Sequence, residues 1–262
     1  MNPTLNPTVN PSATSDHKVV SESEWLRASS DFLAKEKELT RMSDDVSRRR
    51  RSLPWTRVQK SYVFDGPRGK VSLADLFDGR SQLATYHFML GPDWVEGCPG
   101  CSYLADHVNG TLEHLHARDV SLVLVSRAPL ANIAAFNKRM GWRLPWVSST
   151  GCDFNHDFGV SFSKEEVASG VKTYNFGTTA PGEENPGLSF FYKDAGGSIF
   201  RTYSTFGRGL EALLTTYVIL DRAPKGRDEA AFSPPMSWVR HHDKYEPAVQ
   251  GVESCCHDKA AH

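Results

Sequence analysis

From Ser21 to about Arg50 the chain has no proline or glycine, and Trp25, Phe32, Leu39 and Val46 recur every seven residues, with Leu26, Leu33 and Met42 widening the stripe. That spacing predicts one amphipathic helix. Ser21 with Glu24 forms a capping box at its start, Arg48 to Arg51 put positive charge at the negative end of its dipole, and Pro54 closes it. The apolar stripe suits either docking on the same chain or pairing with a second copy as a homodimer. The four arginines read as a solvated helix end and not as a nucleic-acid contact.

Beyond Pro54 the pattern becomes shorter and mixed. Val58 to Phe64 is strand-like, Asp65-Gly66-Pro67 a turn and Ser72 to Phe77 a short helix, together an entry hairpin. Leu83 to Leu90 reads as a buried strand, Gly91 to Gly97 as a loop, and Pro99 to about Ala117 as a helix with Leu104, Val108, Leu112 and Leu115 inward. Val120 to Val125 is a second apolar strand, and Leu130 to Met140 a second helix ended by Gly141. This βαβα order implies a parallel pair with a right-handed crossover. Leu188 to Lys193 and Ser198 to Tyr203 flank Asp194-Ala195-Gly196-Gly197 as an antiparallel hairpin, and Gly209 to Leu220 is a last helix. Between Phe162 and Pro186 the pattern gives a helix at Lys164 to Ala168 and a strand at Val171 to Phe176 before a Gly/Pro-rich loop. From Pro224 onward loop signals dominate.

The expected organisation is therefore a disordered leader (1–18), a helical arm (19–53), one α/β domain (54–223) and a C-terminal extension with a mobile tail (224–262). A length of 262 residues with 39% hydrophobic and 23% charged residues fits one packed core with appendages. The formal net charge of -1 gives no global field for a polyanion or an acidic membrane, so neither nucleic acid nor membrane is an expected partner. The leader lacks the features of a secretory signal and no apolar run is long enough to span a bilayer, so the expected location is the cytoplasm. Five cysteines in a reducing compartment do not make a disulfide scaffold, so the close pair Cys98 and Cys101 calls for a chemical explanation.

A thiol is nucleophilic only as the thiolate, and the first turn of a helix supplies unpaired N–H groups and a positive dipole end that favour the anion. Cys98 sits there. Pro99 fits the first helical position, and Gly100 keeps the turn open for an approaching sulfur. Cys101, three residues on, can resolve a mixed species formed at Cys98 and leave a Cys98–Cys101 disulfide. No bound cofactor is required, because the electrons reside in the sulfurs. The expected partners are a protein or small-molecule disulfide or thiol and an external reductant.

The run Trp94-Val95-Glu96-Gly97-Cys98-Pro99-Gly100-Cys101 after a buried strand resembles the thioredoxin superfamily, with a tryptophan four residues before the first cysteine; proline in the first intervening slot is more similar to a glutaredoxin. From roughly Val20 to Tyr245 the chain resembles a bacterial thioredoxin-like family, domain of unknown function 899, through "FDGRSQLATYHFMLGPDW", "LPWVSS", "DFNHDFGVSF" and "YSTFGRGLEALLTTYVILDRAPKGRDE". The resemblance implies a thioredoxin-like fold, a central mixed sheet flanked by helices with the long N-terminal helix added, and a dithiol role. It brings no substrate. It also implies that the Trp94 to Gly97 loop, Pro99 and Gly100 shape the substrate surface. Where the superfamily has a cis-proline facing the cysteines, this chain has Gly187, with Pro186 one residue earlier.

Three other readings of the cysteines stand beside the dithiol. A metal site would need ligands from His87, His107, Cys152 or the Cys255-Cys256-His257 tail, none at a diagnostic spacing, so no metal is expected. A peroxiredoxin-like peroxidase shares the long second half, but Val95 and Gly91 stand where its signature threonine and proline belong. A binding or assembly module would use the helical arm and leave the cysteines idle. Asp153-Phe154-Asn155-His156-Asp157 opens like a calcium loop but has Phe158 and Lys164 in place of the required glycine and glutamate. Cys152 reads as a small buried residue or a third thiol, His87 as a core histidine or a proton carrier near the cysteines, and His107 as a surface residue.

Overall fold

A computed structural model describes residues 17–246. The first sixteen residues of the expected leader, and the tail with Cys255 and Cys256, lie outside the described residues. Helix α1 (Glu22–Arg51) starts on the Ser21–Glu24 capping box and ends in four arginines, as the sequence predicts. Its stripe does not dock on the chain. Its seven apolar side chains are 45–67% exposed, and no residue of α1 is buried. Pro54 turns the chain into the sheet edge, and near that edge the Arg50 guanidinium lies 5.0 Å from the Tyr203 ring centre.

The described residues form one mixed sheet of β1 (Thr56–Arg57), β2 (Val63–Gly66), β3 (Gly69–Ser72), β4 (Gln82–His87), β5 (Val120–Ser126), β6 (Trp146–Ser148), β7 (Gly187–Lys193) and β8 (Ile199–Phe206). Their spatial order is β1-β8-β7-β4-β5-β6-β2-β3. At its centre β4 and β5 run parallel, while β7 is antiparallel to β4 and β8 to β7. A βαβ unit followed by a β-hairpin and a helix, joined in that order, is the thioredoxin-like arrangement.

Helices α2 (Pro99–Val108), α3 (Leu112–His116) and α4 (Leu130–Met140) follow β4 and β5, and α5 (Phe154–Asp157), α6 (Lys164–Ser169) and α7 (Thr215–Leu220) come later. Side-chain alternation along β4 sorts the core into two layers. Ala84, Tyr86 and Phe88 join α2, α4 and α7 in one apolar cluster, and Leu83 joins Phe64, Phe154 and Phe158 in the other.

Several expected elements shift. The entry hairpin turns at Pro67-Arg68, because Gly69 adopts φ 115°, a conformation open to glycine. The long helix from Pro99 breaks after Val108 and resumes at Leu112, with Asn109-Gly110 between. The last helix begins as a 3-10 turn (Gly207–Leu213). Val171 to Phe176 is not a strand: Tyr174 makes an isolated bridge to Thr179 instead. Residues 234–245, expected as loop or tail, pack on the domain, with Val239 and His241 both 3% exposed.

Candidate functional site

Cys98 caps the N-terminus of α2 and Pro99 takes the first helical position. The loop before it is pinned by two bonds to Met89: Cys98 N–H donates to the Met89 carbonyl (3.0 Å), and Met89 N–H donates to Cys101 Sγ (3.4 Å). Both cysteines are free thiols, Cys98 half-buried and Cys101 buried. The Cys98 thiol is lowered to about 6: the Cys101 thiol donates to its sulfur, burial opposes, and the backbone N–H groups of Cys101 and Gly100 donate as well. Burial pushes the Cys101 thiol well up, and its bond to Cys98 raises it further, while the Tyr86 hydroxyl works weakly the other way. The two shifts oppose each other, so the anion is favoured on Cys98 and the proton on Cys101.

The pair opens into an apolar chamber of about 580 Å³, the size of a small-molecule site. Tyr86, Met89 and Leu104 form its floor with the cysteines, Pro99 and Gly100 its near rim, and Pro186, Leu210 and Leu214 its far wall. The C-terminal strap roofs it with Pro234, Met236 and Val239; the Met236 methyl would stand 3.8 Å from a Cβ on Gly100. Buried His241 holds the strap at the cysteine loop, its Nε2 2.8 Å from the Gly97 carbonyl. Around it Arg139 bonds Glu96 and Asp243, Lys244 bonds Glu96, and His242 bonds Asp106.

The expected surface residues divide. Pro99 and Gly100 line the chamber; Trp94 and Gly97 do not. Trp94 lies against Gly91, 37% exposed, and Gly97 is pressed between Phe88 and Phe136, where a Cβ would come within 2.5 Å of Phe88. Gly187 is not the residue that faces the cysteines. It pairs with His87 and Phe206 in the sheet and is hemmed by Phe206 and Val160, so Pro186, just before it, forms the wall. Buried Tyr174 fixes that wall: its hydroxyl donates to the Pro186 carbonyl and accepts from Gly207 N–H (2.9 Å).

His87 points to the opposite layer, stacked on Phe154 with Nε2 3.1 Å from Ser189 Oγ, and burial lowers it to about 4, so it stays neutral and away from the cysteines. Cys152 also packs in that layer. His107 is half-buried instead of exposed, because its Nε2 accepts from Thr216 N–H (2.9 Å) and ties α2 to α7. Among the described residues no three His, Cys, Asp or Glu side chains gather where they could hold a metal ion. Asp153 and Asp157 bond Lys60 instead of forming a cation loop. Tyr86 could have been read from the alternation of β4, but no sequence signal marks Tyr174, Met236 or His241, which reach the cysteines only through tertiary packing.

Residues 14–245 match the profile of a family described as "Bacterial protein of unknown function (DUF899)". No curated protein matches the chain. Among solved structures it is similar to the peroxidoxin BcpB from Mycobacterium tuberculosis, with 16% identity over 60% of this chain and 91% of that one and a TM-score of 0.39. It is similar to peroxiredoxin Q from Xanthomonas campestris at 15% identity, 60% and 90% coverage and a TM-score of 0.40. It is also similar to a proposed thiol:disulfide interchange protein DsbE from Chlorobium tepidum at 15% identity, 61% and 92% coverage and a TM-score of 0.38. No described helix is long and apolar enough to cross a membrane.

Proposed function

The chain belongs to the bacterial DUF899 family, and from that premise and the dithiol geometry we propose that it is a thiol-disulfide oxidoreductase, with Cys98 as nucleophile and Cys101 as resolving thiol. The observation that carries this reading is the placement of the pair: Cys98, half-buried at the start of α2, lines an open chamber together with the buried Cys101 three residues on. The Cys98 thiolate attacks one sulfur of a disulfide, the S–S bond breaks, and the leaving thiolate takes up a proton. Cys101 then gives up its proton and attacks Cys98, releasing the second thiol and closing a Cys98–Cys101 bond. An external thiol reductant returns both cysteines to the dithiol.

Alkylation followed by peptide mapping, before and after mild oxidation, tests this. Before oxidation Cys98 is expected to label first, and after it both cysteines are protected until a reductant is added. A pair that never protects itself reversibly would remove the dithiol reading. The pH profile follows from the direction of the shift. A thiol lowered to about 6 is a thiolate above that pH, so its alkylation rate climbs about tenfold per unit below pH 6 and levels off by about pH 7. An unperturbed thiol, near 8.5, would still be climbing there. Iodoacetamide kinetics between pH 5 and 9 separate the two.

A further inference from the structure

Resting on that reading, we propose that the dithiol acts on small disulfides with an apolar body and a carboxylate end, and not on disulfides of folded proteins. The chamber carries the size. Pro234, Met236 and Val239 line the chamber with the cysteines and narrow the room left for a protein segment, and the strap is held at Gly97 by His241 and by the ion pairs of Glu96, Arg139 and Asp243. What remains is a half-open space of about 580 Å³ whose lining includes Tyr86, Leu104, Leu210 and Leu214. A methylene or aromatic body gains by entering it, and a folded chain cannot.

The rim carries the charge. Arg208, Glu211 and Arg240 are the ionic residues lining the chamber. Glu211 is neutralised by Arg208 (2.8 Å) and Arg227 (3.3 Å). The Arg240 guanidinium donates to the Ser237 and Val239 carbonyls (2.7 and 3.2 Å), and among the described residues it meets no carboxylate. It is an exposed cation, held in place by its own strap, at the mouth of an apolar space, and it suits an anionic end on a molecule whose sulfur reaches Cys98. The chemistry is the exchange given above, with the small disulfide reduced to two thiols and the cysteine pair oxidised.

The test uses full-length Cys101→Ser protein, which stops at the mixed disulfide, and whole-protein mass spectrometry to time the Cys98 adduct. The probes are 4,4′-dithiodibutyrate, its neutral diamide, and insulin. The two small probes have matched leaving thiols. The dicarboxylate is expected to react at least about tenfold faster than the diamide and than insulin, the size of one charge-assisted contact, and Arg240→Gln is expected to bring the ratio of dicarboxylate to diamide close to one. Insulin reacting as fast as the dicarboxylate, or equal rates for both small probes, would overturn the assignment. These outcomes are distinct from failure of the dithiol reading, in which the wild-type pair would not close reversibly even with a chemical oxidant.

A separate observation concerns α1, in whose exposed seam the heptad positions Trp25, Phe32, Leu39 and Val46 are self-complementary. An antiparallel register that sets Trp25 opposite Val46 and Phe32 opposite Leu39 also sets Glu22 opposite Arg49 and Arg27 opposite Asp44. A seam of that symmetry fits a second copy of the same helix about a two-fold axis. From it we infer that the chain is a homodimer through α1. Light scattering of the full chain is expected to give twice 29.1 kDa at micromolar concentration, and Phe32→Glu, at a side chain 63% exposed in the single chain, is expected to return it to one. A monomeric wild type, or a Phe32→Glu protein that stays dimeric, would overturn this.

Discussion

Cys98→Ser is expected to lower the rate of disulfide reduction by about a thousandfold or more, the scale of removing a nucleophile from a site that works as a unit. Cys101→Ser should behave differently. It leaves the attacking sulfur in place at the helix start, so the first exchange proceeds and the protein accumulates as a mixed disulfide. The asymmetry has a structural cause. Cys98 is half-buried at the helix start, whereas Cys101 is buried under Met89 and Tyr86 and kept protonated by that burial. Turnover assays with mass spectrometry of the resting protein measure both effects. If the two serine variants lost activity equally with no adduct on either, the roles given to the two sulfurs would be wrong. If Cys98→Ser kept its activity, the pair would not be the site.

How far the sequence reveals this site depends on the range of the interactions. Local signals were enough for the cysteine helix, whose start at Pro99 follows from the proline at its first position. They were also enough for α4, whose Leu130–Met140 bounds end at Gly141 with φ 65°, and for the capping box of α1. Strand β6 has three residues and lies inside an aromatic and serine run, too short to show any period. The break after Val108 follows from Asn109-Gly110, which the apolar spacing of Leu112 and Leu115 masked.

The strap is a different case. His241 bonds the Gly97 carbonyl across 144 positions and Lys244 bonds Glu96 across 148, so nothing near residues 234–245 in the sequence announces that they roof the cysteines. Tyr174 was hidden for the same reason: its bonds to Pro186 and Gly207 join two loops that meet only in the fold. The expectation for Gly187 shows the limit of reasoning by position. The place was off by one residue, and the sheet pairing of Gly187 with His87 decides it.

The far wall of the chamber depends on an ion pair, and breaking it is the change expected to cost most in stability. Arg127 donates to Glu184 Oε1 (2.9 Å) and Ser161 Oγ donates to Oε2 (2.7 Å), with the Glu184 side chain 4% exposed. Next to it, Asn185 N–H bonds the Val160 carbonyl (2.8 Å), and together these ties deliver Pro186 to the cysteines. Arg127→Ala leaves a buried carboxylate with one neutral donor, which is expected to cost about 3 kcal/mol.

The pH dependence identifies the cause. Burial already raises Glu184, and loss of Arg127 removes an opposing influence and raises it further. The folded variant then holds a proton more tightly than the unfolded chain, so its stability rises as pH falls from the raised folded value toward the ordinary carboxylate range near 4.3. The deficit in denaturant melts should therefore be larger at pH 7.5 than at pH 5.5. Adding Glu184→Gln to Arg127→Ala should recover part of it by removing the unpaired charge. A deficit that does not change with pH, or a double variant less stable than Arg127→Ala alone, would show that Arg127 acts through packing and not through the charge of Glu184.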